Sequence, residues 1–150
     1  MKKFKSDHEA ARLLCDILSV NVDAVVALLP NSVNIAILIA QHLDVPLIEF
    51  WDNDSFDSTQ TAQKRILVVD DGVETGTRAR EVASSLEGAK ARFLAVPVCS
   101  REIEALLLSY YQEIFAVARP FVRRSLAWHY EVMPSYSNDE ARLILKTALD

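Results

Sequence analysis

Two adjacent carboxylates, Asp70 and Asp71, follow the apolar run Ile66 to Val69, and Glu74, Thr75, Gly76 and Thr77 come directly after them. Neighbouring carboxylates accept hydrogen bonds from a sugar diol or hold a hard cation such as Mg²⁺, directly or through its waters. The Thr75-Gly76-Thr77 turn has a different chemistry. It opens an expected helix, whose first-turn N–H groups lack intrahelical partners. Backbone amides, two hydroxyls and the helix dipole there all suit a phosphate. Phosphate and carboxylates repel, so the two groups must serve different ends of one ligand. That points to a phosphorylated sugar, with Arg78 just past the turn as a further ligand-binding candidate.

Such a site needs a strand to carry the acids and a helix to carry the turn. Ile66 to Val69 reads as a strand buried on both faces, and the helix from Thr77 is expected to run to Glu87 and end at Gly88 as a left-handed cap. The same alternation extends along the chain. Ser6-Asp7-His8-Glu9 has the spacing of a capping box, and Ala10, Leu14, Ile17 and Leu18 share one helical face, giving an opening helix of about four turns. Strands are expected at Ala24 to Leu29, Val45 to Phe50, Ala91 to Val98 and Glu113 to Ala118.

Ser100 caps an expected helix whose Ile103, Leu106, Leu107 and Tyr110 share a face, and Ser137-Asn138-Asp139-Glu140 opens the last helix, with Ala141, Ile144, Leu145 and Ala148 inward. Strands alternating with helices imply a parallel α/β sheet. Between the first strand and its helix lies Pro30-Asn31-Ser32-Val33-Asn34, where Asn31, Ser32 and Asn34 can donate side-chain hydrogen bonds, and Asn31 or Ser32 can instead cap the helix. Trp51 to Lys64 is a polar loop of unusual length for a compact domain. Arg119 to Tyr136 is irregular and rich in aromatics, among them Phe121, Trp128, His129, Tyr130 and Tyr136.

The chain has 150 residues, 51% of them hydrophobic and 25% charged, which suits a single soluble domain spanning 1–150. A net charge of −5 argues against a nucleic-acid-binding surface, though it leaves room for one small anionic ligand. No apolar run approaches a membrane span, and MKKFKSDHEAARLL has no continuous apolar core of a signal peptide, so a cytoplasmic location is expected. Cys15 and Cys99 lie far apart among apolar neighbours and read as free buried thiols.

VVDDGVETGT, residues 68–77, is similar to the phosphoribosyl pyrophosphate (PRPP) signature of type I phosphoribosyltransferases: apolar strand, two acids, two linking residues, an acid, then Thr-Gly-x-Thr or a close variant. The opening helix, the VPLIEF and AVPV strands and the ending PFV…WHYEVMPSYSNDEARLIL resemble the uncharacterised phosphoribosyltransferase-like domains of bacteria. The resemblance implies a parallel twisted sheet with helices on both faces and a small C-terminal, aromatic-rich hood over a nucleobase. Asp70 and Asp71 would hold the ribose end with Mg²⁺, and Thr75, Gly76 and Thr77 the 5′-phosphate. Glu74 would stand where purine-using relatives place an acid proposed to accept a proton from the base. The turn of Asn31 and Ser32 would cradle pyrophosphate, although it has neither the arginine nor the glycines usual there. Residues 51–64 would be the mobile segment that closes over substrate.

The implied ligand is PRPP or a nucleoside monophosphate. The implied activity is transfer of phosphoribose to a nucleobase or other nitrogen nucleophile, within nucleotide metabolism, and a homodimer is left open. The alternative is a nucleotide- or phosphosugar-binding relative that has lost pyrophosphate binding and turnover.

Overall fold

A computed structural model describes residues 3–149. Its five strands, β1 (Ala24–Leu28), β2 (Leu47–Phe50), β3 (Arg65–Val69), β4 (Ala91–Val98) and β5 (Glu113–Ala118), form one sheet in the order β2-β1-β3-β4-β5. Every pairing is parallel, with Val26 opposite Ile48 and Val68, and Val68 opposite Leu94. Successive strand residues point to opposite faces, and both faces are covered. Val25 and Ala27 of β1 and Leu67 and Val69 of β3 pack under α1 (Asp7–Ile17), α2 (Val33–Leu43) and α5 (Asn138–Leu149). Ala24, Val26, Ile66 and Val68 pack under α3 (Thr77–Ser85) and α4 (Arg101–Leu107). This is the expected architecture, with β4 and β5 at the expected residues.

Three local expectations are corrected. Helix α1 is 11 residues long, about three turns rather than four, and Ile17 at its end is 44% exposed. Helix α3 stops at Ser85, and Gly88 is not a left-handed cap. Among the described residues, the glycines with positive φ are Gly72 and Gly76. The left-handed residue near that corner is Gln63, φ +63°, whose N–H donates to the Gly88 carbonyl at 2.8 Å. Helix α4 ends at Leu107 after two turns, so Leu106 and Tyr110 stay exposed while Ile103 and Leu107 are buried. Tyr111 turns inward instead and its hydroxyl donates to the Ala79 carbonyl at 2.6 Å.

Residues 51–64 form a strap along α3, with a short 3₁₀ turn at Ser58–Gln60. Asn53 Nδ2 donates to the Glu81 carbonyl at 2.9 Å and to Ser85 Oγ at 2.6 Å, and Phe56 packs on Phe50 with ring centroids 5.0 Å apart. The strap carries the chain from the edge strand β2 to the central strand β3 in place of a crossover helix.

Candidate functional site

Asp70 and Asp71 follow the last residue of β3, the central strand, at the carboxyl edge of the sheet where open α/β folds bind ligands. They are 6% and 7% exposed, and the Asp71 N–H donates to Asp70 Oδ1 at 2.9 Å. Burial pushes both carboxyls above the ordinary carboxylate range. Asp70 is raised most, because the charge of Asp71 adds to its desolvation, while the Arg78 guanidinium opposes the rise at both.

The turn after them is built by two glycines. Gly72 stands at φ +143°, and a Cβ there would come within 2.5 Å of Leu126 Cδ2. Gly76 stands at φ +81°, and its Cβ would press on Ile103 and Leu107 of α4 at 3.2 and 3.3 Å. Both positions need glycine for conformation and for space. Gly76 is the N-cap of α3 and supplies no side-chain cap. The Thr75 hydroxyl accepts the Thr77 N–H at 3.3 Å and donates to Thr77 Oγ1 at 3.1 Å. Both threonines are exposed at the open end of the helix, as a phosphate site requires.

Glu74 and Arg78 are used in other ways. Glu74 Oε1 accepts the Leu126 N–H at 2.6 Å, and the Arg78 guanidinium donates to the Leu29 carbonyl at the end of β1. Arg78 therefore ties α3 to the turn at 30–34 and also lines the cavity. In that turn Ser32 is fully buried and donates to the Leu28 carbonyl at 2.5 Å, so its hydroxyl points into the core rather than to a ligand. It occupies the N-cap of α2 without forming a side-chain cap. Asn34 donates to Asp7 Oδ2 at 3.1 Å and to the Tyr136 hydroxyl at 2.8 Å. Burial and the adjacent Asp7 push the Tyr136 hydroxyl up to about 12. Asn31 alone of the three lines the cavity, with its Oδ1 accepting the Tyr136 N–H at 3.0 Å.

The cavity so enclosed measures about 440 Å³. Residues 70–79 and Asn31 form one side, and Ser125, Leu126, Ala127 and Met133 form the other. The structure thus brings Asp70, Asp71, Glu74, Thr75, Gly76, Thr77, Arg78 and Asn31 together and leaves Ser32 out. No residue of 51–64 lines this cavity.

The wall opposite the signature loop is aliphatic rather than aromatic. Leu126–His129 is a 3₁₀ turn in which Trp128 lies beneath Arg124 and Lys3, 4.5 and 5.7 Å from the ring centroid. His129 is buried with Nδ1 lacking a partner, and burial together with Arg124 and Lys3 pushes its pKa down. Tyr130 packs on Phe4 and donates its hydroxyl to the Asp71 carbonyl at 2.7 Å. Phe121 is 82% exposed under Arg101. The aromatics anchor the segment, and its small and aliphatic residues face the cavity. Leu126, Ala127 and Met133 had no signal in the sequence, apart from the glycine at 72 that makes room for Leu126.

For Mg²⁺, the donor set is the two carboxyls of Asp70 and Asp71. Among the described residues no group of three or more His, Cys, Asp or Glu is placed to hold a metal, so a resident protein cage does not fit. Two carboxylates beside a phosphate turn do fit a Mg²⁺ that arrives with its phosphate ligand and keeps several waters.

No family model and no curated protein matches the chain. Solved structures do. The protein TT1426 from Thermus thermophilus aligns with a TM-score of 0.78 at 18% identity, over 96% of this chain and 98% of that one. A hypothetical protein from Neisseria gonorrhoeae with bound ppGpp aligns at a TM-score of 0.60 and 12% identity, over 98% of both chains. Orotate phosphoribosyltransferase from Aeropyrum pernix aligns at 0.58 and 24% identity, over 73% of this chain and 68% of that one. The fold is therefore that of the phosphoribosyltransferases.

Proposed function

We propose, from the phosphoribosyltransferase-like fold, that this chain binds a 5-phosphoribosyl ligand, PRPP or a nucleoside monophosphate, in the cavity at residues 70–78. One observation carries the reading. The open N-terminus of α3, held by Gly76 at φ +81°, and the buried pair Asp70 and Asp71 face a single cavity of about 440 Å³. The first-turn N–H groups with the Thr75 and Thr77 hydroxyls receive the 5′-phosphate, and the carboxyls accept from the ribose hydroxyls. The ring end lies toward Leu126, Ala127 and Met133. Structural neighbours include proteins named as orotate, purine and adenine phosphoribosyltransferases and one with bound ppGpp, which supports a ligand of the nucleotide class.

In the transferase form of this reading, displacement at C1 of the ribose passes through an oxocarbenium-like state. Asp70 and Asp71 would contribute by position and by negative charge near that carbon. Mg²⁺, held by the same two carboxyls, would offset the charge of the leaving pyrophosphate. A second reading, a binder without turnover, is favoured by the turn at 30–34, where Ser32 and Asn34 are spent on structural bonds and the turn itself carries no Lys or Arg. Calorimetry with PRPP and Mg²⁺ beside AMP, GMP and ribose 5-phosphate separates them. Tighter binding of PRPP than of the monophosphates supports the transferase; monophosphate binding with no gain for PRPP supports the binder. No binding of any of the four removes both.

A further inference from the structure

We infer that Glu74 is a positioning residue, whose carboxylate latches the Leu126–His129 turn over the cavity so that the ring of a bound nucleotide is held mainly by apolar contact. The inference rests on the nucleotide site proposed above and goes beyond it by naming what fixes the hood and how the ring is read.

Ser125 is the N-cap of the 3₁₀ turn and forms no side-chain cap, so the first N–H of the turn, that of Leu126, lacks a local acceptor. Glu74 Oε1 supplies one at 2.6 Å from 52 residues away in sequence. The Leu126 side chain meanwhile fills the space beside Gly72, and the Tyr130 hydroxyl binds the Asp71 carbonyl at 2.7 Å just past the end of the turn. Residues 71, 72 and 74 of the signature loop thus grip residues 126 and 130 at three points, of which only Glu74 uses a charge. On the hood side of the cavity, Ser125 is the one polar side chain beside Leu126, Ala127 and Met133. Apolar contact discriminates between ligands by roughly 10- to 200-fold, against roughly 10⁴-fold or more for a hydrogen-bonded edge. AMP and GMP should therefore differ in affinity by no more than about 200-fold.

The test compares Glu74→Ala with Glu74→Gln, whose amide oxygen still accepts from Leu126. Both are made in a Trp51→Phe background that leaves Trp128, inside the turn, as the sole tryptophan of the chain's two. Amide exchange of residues 125–130 and Trp128 emission read the hood in the free protein, and calorimetry with AMP, GMP and ribose 5-phosphate reads the site. Expected for Glu74→Ala are exchange faster by about tenfold or more, shifted Trp128 emission, and AMP weakened about tenfold with ribose 5-phosphate little changed. Glu74→Gln should return exchange and AMP affinity towards the parent. Unchanged exchange in Glu74→Ala overturns the latch. Loss of AMP in Glu74→Gln equal to that in Glu74→Ala, with the hood still protected, overturns it as well, because the charge itself would then meet the ligand. If the parent binds neither AMP nor ribose 5-phosphate, the nucleotide site fails, and the exchange data alone decide whether Glu74 holds the hood.

Discussion

At position 72 the positive φ and the nearby Leu126 side chain both exclude a Cβ, which would sit 2.5 Å from Leu126 Cδ2. Gly72→Ala should therefore lower stability by about 1–3 kcal/mol and push the hood turn away, weakening nucleotide binding. Thermal melting and calorimetry check the two effects. Asp70 carries a second expectation. Its folded-state pKa is raised above the ordinary 3.8 by burial and by Asp71, so the folded protein binds this proton more tightly than the unfolded chain. Stability from this group is fully present below the ordinary value and is lost as pH rises through the raised one. Asp70→Asn, which needs no proton, should melt above the parent at about pH 8, and the gap should close as pH falls towards about 4. A melting series across that range reads it directly. The acids and the threonine turn were legible because their residue types announce their chemistry. Ser32 was not, because a hydroxyl at a turn reads the same whether it faces a ligand or, as here, the Leu28 carbonyl.

Elements were legible where one signal dominated. Strand β4 is an unbroken apolar run after Arg92, and α5 opens on a reciprocal capping box, with Glu140 N–H to Ser137 Oγ at 3.0 Å and Ser137 N–H to Glu140 Oε1 at 2.9 Å. The backbone N–H and the side chain of Ser137 both act on the Glu140 carboxyl and pull it below its usual range. Ser137→Ala should cost about 1 kcal/mol and lower the melting temperature by roughly 2–4 °C without altering ligand binding, as parallel melting and calorimetry would show. Ends of elements were less legible. Periodicity continues through Leu106 and Tyr110, but α4 ends at Leu107, so the inward place is taken by Tyr111. Gly88 carries the residue type of a helix stop, yet the positive φ of that corner falls on Gln63, because the strap and not the helix makes the turn.

For the molecule as a whole, alternating strands and helices foretold a parallel sheet, while the contacts that shape the site join residues distant in sequence. Glu74 with Leu126, Tyr130 with Asp71 and Arg78 with Leu29 leave no periodic trace. The strap at 51–64 is the clearest case, since length and polarity marked it as exceptional without showing that it docks on α3. Its placement has a kinetic consequence. With that segment docked on α3 and outside the cavity lining, ligand entry should not require it to open. Association should approach the diffusional range, roughly 10⁸ M⁻¹ s⁻¹, so a ligand of micromolar affinity would stay only about 10 ms. Stopped-flow association that rises linearly with AMP concentration would bear this out, and a rate that saturates would show a gate. A residence so brief suits a protein that follows the concentration of its ligand closely and holds little of it in store.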